Sequence, residues 1–348
     1  MMLRHLPELA QAVQRNCDIS DARHAGDYGM CTFLLKMREY YRWENELPFG
    51  RALPKDELGE WLKSREQSWQ DIEESQFEPL PLGAGALDPF EAAAANRELL
   101  PQGGVYGAGY GRMGKPVFFL GVLERIEERE GLTICVSSCE YARELAAPPA
   151  MLQGRTVFLR LESVRRYLWE RIEEWQWRKQ GGAMARVLAG YDFIADPERA
   201  LSRMAENETE SMILHEIGEA RAGDLLGAAW GEMALAASAT RAEIAMRAVR
   251  DLLADCLSTL PALLERGNAP ALHFHFATFD ALRRQLFPQA LEAYEDYARS
   301  GSAERLWRAV REGRERWLET SRRLLALTPA EREAALEALL PPPAPRAS

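Results

Sequence analysis

The chain is poor in cysteine and lacks any long apolar segment. Its five cysteines among 348 residues are too few, and odd in number, for the disulfide framework of a small secreted protein. No run of about 18 apolar residues occurs, so a membrane-spanning helix is not expected. The first residues also lack the apolar core of a signal peptide. These absences predict a cytoplasmic protein that has no membrane partner.

An excess of basic charge is also missing. The 43 lysines and arginines are outnumbered by 53 aspartates and glutamates, which gives a net charge of −10. Nucleic-acid affinity comes mainly from neutralising phosphates with basic side chains, so a nucleic-acid partner is not expected. What the sequence does contain is 47% hydrophobic residues, enough for the packed core of one large domain or two ordinary ones.

Helical periodicity and turn residues predict an α+β fold that is predominantly α-helical. N-terminal helices precede a region at about 104–161, whose apolar runs and glycine-containing turns predict a small antiparallel β-meander. From Glu162 the pattern is helical almost to the end and predicts a C-terminal helical bundle. The predicted organisation is a mixed α/β region at 1–161, a helical bundle at 162–330, and a terminal helix end with a disordered proline-rich tail at 331–348.

The stretch around His215 combines carboxylates and a histidine at helical spacing. With about 100° per residue, Glu208, His215 and Glu219 fall within roughly 20° of one line along a helix. Apolar residues such as Met204 and Leu226 flank that line. Buried charges must pair, bind a metal or change their pKa. The stripe therefore predicts either a metal site or a set of ion pairs with arginines on neighbouring helices.

Three further residues are candidates to complete a metal site begun by His215. His273 and His275 lie between large apolar side chains, and Asp255 lies at the edge of the apolar face of its helix. The alternative is one buried and one surface histidine at these positions, and a solvated or arginine-paired role for Asp255 and its i, i−4 neighbour Asp251. Ligation by oxygen-rich groups favours iron or manganese over zinc.

The string His215-Glu216-Ile217-Gly218-Glu219 resembles the His-Glu-x-x-His helix of zinc metallopeptidases over these five residues. Glu219 stands where the second zinc-binding histidine of that family lies, and no clear third ligand follows. The resemblance implies a His215/Glu219 metal pair with Glu216 as the general base.

These observations lead to two hypotheses for function. The first is a metal-dependent helical-bundle enzyme, oxidative or hydrolytic, with a small-molecule substrate and with Glu208, His215 and Glu219 as ligands. The second is a non-enzymatic cytoplasmic interaction or regulatory protein, in which the same residues form a structural ion-pair network. The long helices are also compatible with a homodimer.

Overall fold

The computed structural model shows an α+β fold that is predominantly α-helical, as the sequence predicts. It describes residues 6–341 apart from 84, 179–180, 194 and 238–239. The predicted disordered tail from residue 342 onwards lies outside the described residues. No helix of the described part is long and apolar enough to cross a membrane.

The chain divides into two compact units. Unit 1 comprises Met1–Arg178 with Asp192–Thr209, and unit 2 comprises Lys179–Tyr191 with Glu210–Ser348. Helices of the described part of unit 1 are α1 (Leu6–His24), α2 (Met30–Glu44), α3 (Lys55–Ile72), α4 (Ala92–Leu99) and α5 (Leu161–Arg178). Its strands are β1 (Gly104–Tyr110), β2 (Pro116–Arg129), β3 (Leu132–Arg143), β4 (Ala150–Gln153) and β5 (Thr156–Arg160).

The sheet has the strand order β1-β2-β3-β5-β4. Strands β1, β2 and β3 form the predicted antiparallel meander. Strand β5 then pairs in parallel with β3, and β4 pairs antiparallel with β5. The parallel pair is an addition that the sequence does not predict. The parallel pairing depends on the path that the chain takes between β3 and β5, and local residue patterns do not determine that path.

Gly107 shows why β1 is rich in glycine. A Cβ built on this residue would lie 2.1 Å from Cε1 of Phe119 on strand β2. Phe119 is buried, so its ring cannot move out into solvent. Glycine therefore lets the aromatic ring lie directly on the neighbouring strand.

The described residues of unit 2 form helices and the turns that connect them, without a β-strand. Its helices are α6 (Ala183–Ala189), α7 (Pro197–Leu226, whose first residues belong to unit 1), α8 (Ala228–Ala236), α9 (Arg241–Ala254), α10 (Leu260–Glu265), α11 (Ala269–Ala277), α12 (Ala281–Leu286), α13 (Pro288–Ser300), α14 (Glu304–Ala326) and α15 (Pro329–Glu337). A proline inside a helical pattern predicts a kink or break, and at Pro288 the structure has a break, between α12 and α13. Leu252, Phe276, Tyr294 and Trp317 belong to the core of this unit.

A single π-helical turn, Asp255–Thr259, joins α9 to α10. Pro261 accounts for it, because proline has no N–H to donate to the carbonyl of Leu257 four residues earlier. In the π turn the N–H of Leu260 donates to the carbonyl of Asp255. The Leu257 carbonyl instead accepts a bond from Nη1 of Arg221 at 2.7 Å. The carbonyls of Asp255 and Leu257 therefore both accept hydrogen bonds, although the helix is irregular here.

Candidate metal centre in the helical unit

Helix α7 meets the end of α9 at Gly218. A Cβ built on Gly218 would lie 2.4 Å from the carbonyl oxygen of Ala254, so only glycine fits there. Helix α7 is continuous through this glycine. Because Gly218 lies between His215 and Glu219 in the sequence, the close approach places both side chains against the end of α9.

His215 is held by a buried carboxylate. Its Nδ1 lies 2.8 Å from Oδ1 of Asp255, whose side chain is 2% exposed. The other oxygen of Asp255 lies 3.4 Å from Nη1 of Arg283 and 3.8 Å from Nε2 of His275. Burial opposes the ionisation of Asp255, but His275, His215 and Arg283 outweigh it and hold its pKa well below the usual range.

The opposite nitrogen of His215 points to a second carboxylate. Nε2 lies 3.6 Å from Oε1 of Glu219. Burial would lower the pKa of His215, but Asp255 and Glu219 raise it well above the ordinary value. Because the bond to Asp255 engages Nδ1, Nε2 is the ring nitrogen that faces Glu219, and it could bind a metal ion only after losing the proton that the raised pKa favours.

Asp251 completes a group of three ligand atoms. One atom each from His215, Glu219 and Asp251 lies within 4.8 Å of the other two. Atoms bound to one ion at about 2 Å must lie roughly 3–4 Å apart, so a small adjustment of side chains would bring these three onto one ion. In the sequence, Asp251 is recognisable by its i, i+4 spacing from Asp255. Asp255 was the preferred candidate for a metal ligand, because it lies at the edge of the apolar face of the helix.

Two arginines lie on the same carboxylates. Nη2 of Arg250 is 2.6 Å from Oε1 of Glu219 and 3.7 Å from Oδ1 of Asp251. Nη2 of Arg283 is 3.7 Å from Oδ2 of Asp251. Sequence reasoning anticipated arginine partners for this helix but could not identify which arginines, because they come from α9 and α12. We call the set of His215, Glu219, Arg250, Asp251, Asp255 and Arg283 the His215 cluster.

Glu216 lies beside the His215 cluster. Its side chain is buried, and burial together with the neighbouring Glu219 raises its pKa to about 8. Both effects favour the protonated carboxylic acid over the carboxylate. A group whose pKa is close to the working pH can both donate and accept a proton.

The remaining predicted residues take other places. Glu208 is buried in the part of α7 that belongs to unit 1, and seven residues of helix separate it from His215 by about 10 Å along the axis. Nδ1 of His273 lies 3.0 Å from the hydroxyl of Tyr294, away from the cluster. His275 lies behind Asp255, and burial lowers its pKa to about 4, so its imidazole is neutral. The structure thus brings together His215, Glu219 and Asp255, with His275 adjoining.

Family models match both halves of the chain. Residues 8–160 match a model described as the N-terminal domain of a family of unknown function (DUF6866), and residues 165–341 match the model of the C-terminal domain of the same family. No curated protein and no solved structure gave a match.

Proposed function

The chain belongs to the DUF6866 family of unknown function, and from its own geometry we propose that unit 2 is a metal-dependent enzyme. In this proposal one divalent ion is held by Nε2 of His215 and by carboxylate oxygens of Glu219 and Asp251. The observation that carries the proposal is the convergence of these three ligand atoms within 4.8 Å of one another.

The bond between His215 and Asp255 supports the same proposal. Metal-binding histidines commonly donate their second ring N–H to a carboxylate, which fixes the ring and strengthens the ligand nitrogen. Asp255 accepts from Nδ1 of His215 at 2.8 Å and is itself buried, so its position is well defined.

The donor set indicates the class of metal. One imidazole nitrogen and two carboxylates favour iron or manganese over zinc. Such an ion, when bound, would polarise a substrate oxygen or supply redox chemistry. In the proposal Glu216, the buried acid beside the ligands, exchanges a proton with a small-molecule substrate, and the reaction class is either hydrolytic or oxidative.

A structural ion-pair network is the second hypothesis, and the 2.6 Å contact between Arg250 and Glu219 favours it. If His215 is protonated, its charge and those of Arg250 and Arg283 balance the three carboxylates of the cluster. The cluster then needs no metal to be electrically neutral. In that case unit 2 would serve as a non-enzymatic interaction or regulatory scaffold.

Metal content of the full chain, purified without a tag, distinguishes the two. We expect about one equivalent of iron or manganese by elemental analysis, and rebinding of Mn²⁺ by calorimetry after chelator treatment. His215→Ala and Asp251→Asn should each abolish binding. His273→Ala is the matched control, because it removes a histidine of the same unit that lies outside the cluster, and it should bind normally.

A wild-type chain that binds no metal would exclude the proposed metal site. If the wild-type chain carries no metal and binds none of Mn²⁺, Fe²⁺ or Zn²⁺ at micromolar concentration, the metal site is excluded. A chelator should lower the melting temperature of the wild type but not of His215→Ala. If the chelator leaves the melting temperatures of both proteins unchanged, the ion-pair network is the correct interpretation.

A further inference from the structure

Unit 1 contains a cavity of about 480 Å³. This volume lies within the range of sites that take small organic ligands. Its walls include Arg143, Arg166 and Glu162 together with the aromatic side chains of Trp43 and Phe49. The cavity belongs to unit 1 alone, so it is separate from the His215 cluster of unit 2.

Arg143 is the unusual group in this cavity. It is 2% exposed, yet among the described residues no carboxylate oxygen lies within ion-pair distance of its guanidinium. Nη2 makes one long bond, 3.4 Å, to the carbonyl of Glu39, and Nε has no hydrogen-bond partner. Burial lowers the pKa of Arg143 to about 10. A buried cation with an unused donor is costly, because charges removed from water need compensation.

The other arginines of the cavity already have partners. Nε of Arg42 lies 3.1 Å from Glu39, and Nη2 of Arg165 lies 2.8 Å from Glu198. Arg166 pairs with Glu170 and donates to the carbonyl of Ala146. Arg143 is therefore the arginine that an incoming anion would meet without displacing a carboxylate of the chain.

Aromatic rings define the rest of the site. The guanidinium carbon of Arg143 lies 4.5 Å from the centroid of Trp43, which holds the cation in place by cation–π attraction. Phe49 packs against Trp169 with ring centroids 5.9 Å apart. These rings offer an apolar surface next to the cation.

Carboxylates in the wall limit the charge of a ligand. Glu46, Glu162 and Glu198 also line the cavity. They would repel a dianion such as a phosphate ester more strongly than a singly charged acid. We propose that the cavity of unit 1 binds a small organic monocarboxylate, whose carboxylate pairs with Arg143 and whose apolar part lies against Trp43 and Phe49.

Calorimetry on the full chain tests this proposal with defined probes. The panel is acetate, butyrate, benzoate and phenylacetate, each compared with its neutral amide, and phenyl phosphate as the dianion. We expect at least one carboxylate to bind with a Kd of about 1 mM or tighter, and its amide and phenyl phosphate to bind at least tenfold more weakly. The proposal is overturned if no carboxylate binds, or if an amide or phenyl phosphate binds as well as the carboxylates.

Variants locate the binding site. Arg143→Met should abolish carboxylate binding, and Arg125→Met, which removes an exposed arginine outside the cavity, should leave it unchanged. Phe49→Ala is the second test in case Arg143→Met does not fold, and it should weaken binding about tenfold through loss of an apolar contact. Unchanged binding in a folded Arg143→Met or in Phe49→Ala would place the ligand elsewhere and overturn the proposal.

Discussion

Two clusters of buried charge, one in each unit, are built in different ways. In unit 1 the fully buried Arg160 binds Glu140 through two bonds of 3.1 and 2.6 Å and binds Glu144 at 3.2 Å. Ser163 donates a further bond of 2.6 Å to Glu140. The side chains of the arginine and both glutamates are at most 1% exposed. We call this the Arg160 network.

The His215 cluster is looser and more open. The side chain of His215 is 24% exposed and that of Arg250 27%. Several of its charge contacts are 3.4–3.7 Å long. It also contains histidine, whose charge changes near neutral pH. A closed network with short, bidentate bonds is what structural stabilisation requires, whereas an accessible cluster with shifted pKa values is typical of a functional site.

The largest effect should come from opening the Arg160 network. Glu140→Ala leaves Arg160 with one carboxylate in a place closed to water, and should lower the free energy of unfolding by about 3–5 kcal/mol. Urea unfolding measures the loss. Glu60→Ala, which removes an exposed partner of Lys63, is the control and should have no measurable effect. Equal stability of the two variants would show that the closed network contributes nothing.

The next largest effect concerns the helix contact that supports the His215 cluster. Gly218→Ala places a methyl group 2.4 Å from the Ala254 carbonyl, and should cost about 3 kcal/mol because backbone atoms must move. Gly223→Ala is the matched control on the same helix, since nothing lies within 4 Å of its added Cβ. It should stabilise the helix by about 0.5–1 kcal/mol.

Thermal and urea unfolding of both glycine variants measure these opposite signs. A Gly218→Ala protein as stable as Gly223→Ala would mean that α7 and α9 do not approach as closely as described. Loss of the contact should also weaken any metal binding at His215 and Glu219, while Gly223→Ala leaves it intact.

The smallest effect is a pH dependence at His275, which adjoins the His215 cluster and has no counterpart in the Arg160 network. His275 has an ordinary pKa of 6.5 that burial lowers to about 4. As pH falls from 6.5 towards 4, the unfolded chain binds a proton at this residue that the folded chain does not. The folded state therefore loses stability on acidification, by roughly 2.5 kcal/mol at pH 4.5. His215 shifts in the opposite direction, so its stabilisation is already complete below pH 6.5.

Comparison with His275→Gln isolates this contribution from other titrating groups. The difference in unfolding free energy between wild type and variant should shrink as pH falls from 7 to 4.5, because only the wild type loses stability through this residue. Urea unfolding at several pH values measures the difference. A gap that stays constant with pH would show that His275 is not buried as a neutral imidazole. The Arg160 network contains no histidine, so Glu140→Ala should cost nearly the same at pH 7 and at pH 6.

Local patterns were sufficient for much of the fold. Apolar periodicity predicts helices at 30–45 and 302–326, close to the observed α2 and α14, and Pro288 predicts the break between α12 and α13. Where the pattern misled, tertiary packing was the cause. The residue pattern predicts a short first helix at 5–16, but α1 continues to His24 because Cys17, Ile19 and Asp21 are buried against the rest of unit 1.

The sequence by itself determined that His215 and Glu219 share one face of a helix, since a spacing of four residues makes this certain once the helix forms. Only the tertiary structure decided what that face meets. The contact of Gly218 with Ala254 sets the position of α7 along α9, and Asp255 continues the helical phase of α9 because its N–H donates to the carbonyl of Asp251. Helical spacing within α9 could not show whether Asp251 or Asp255 offers its carboxylate beside Glu219, because that depends on contacts between helices far apart in the chain.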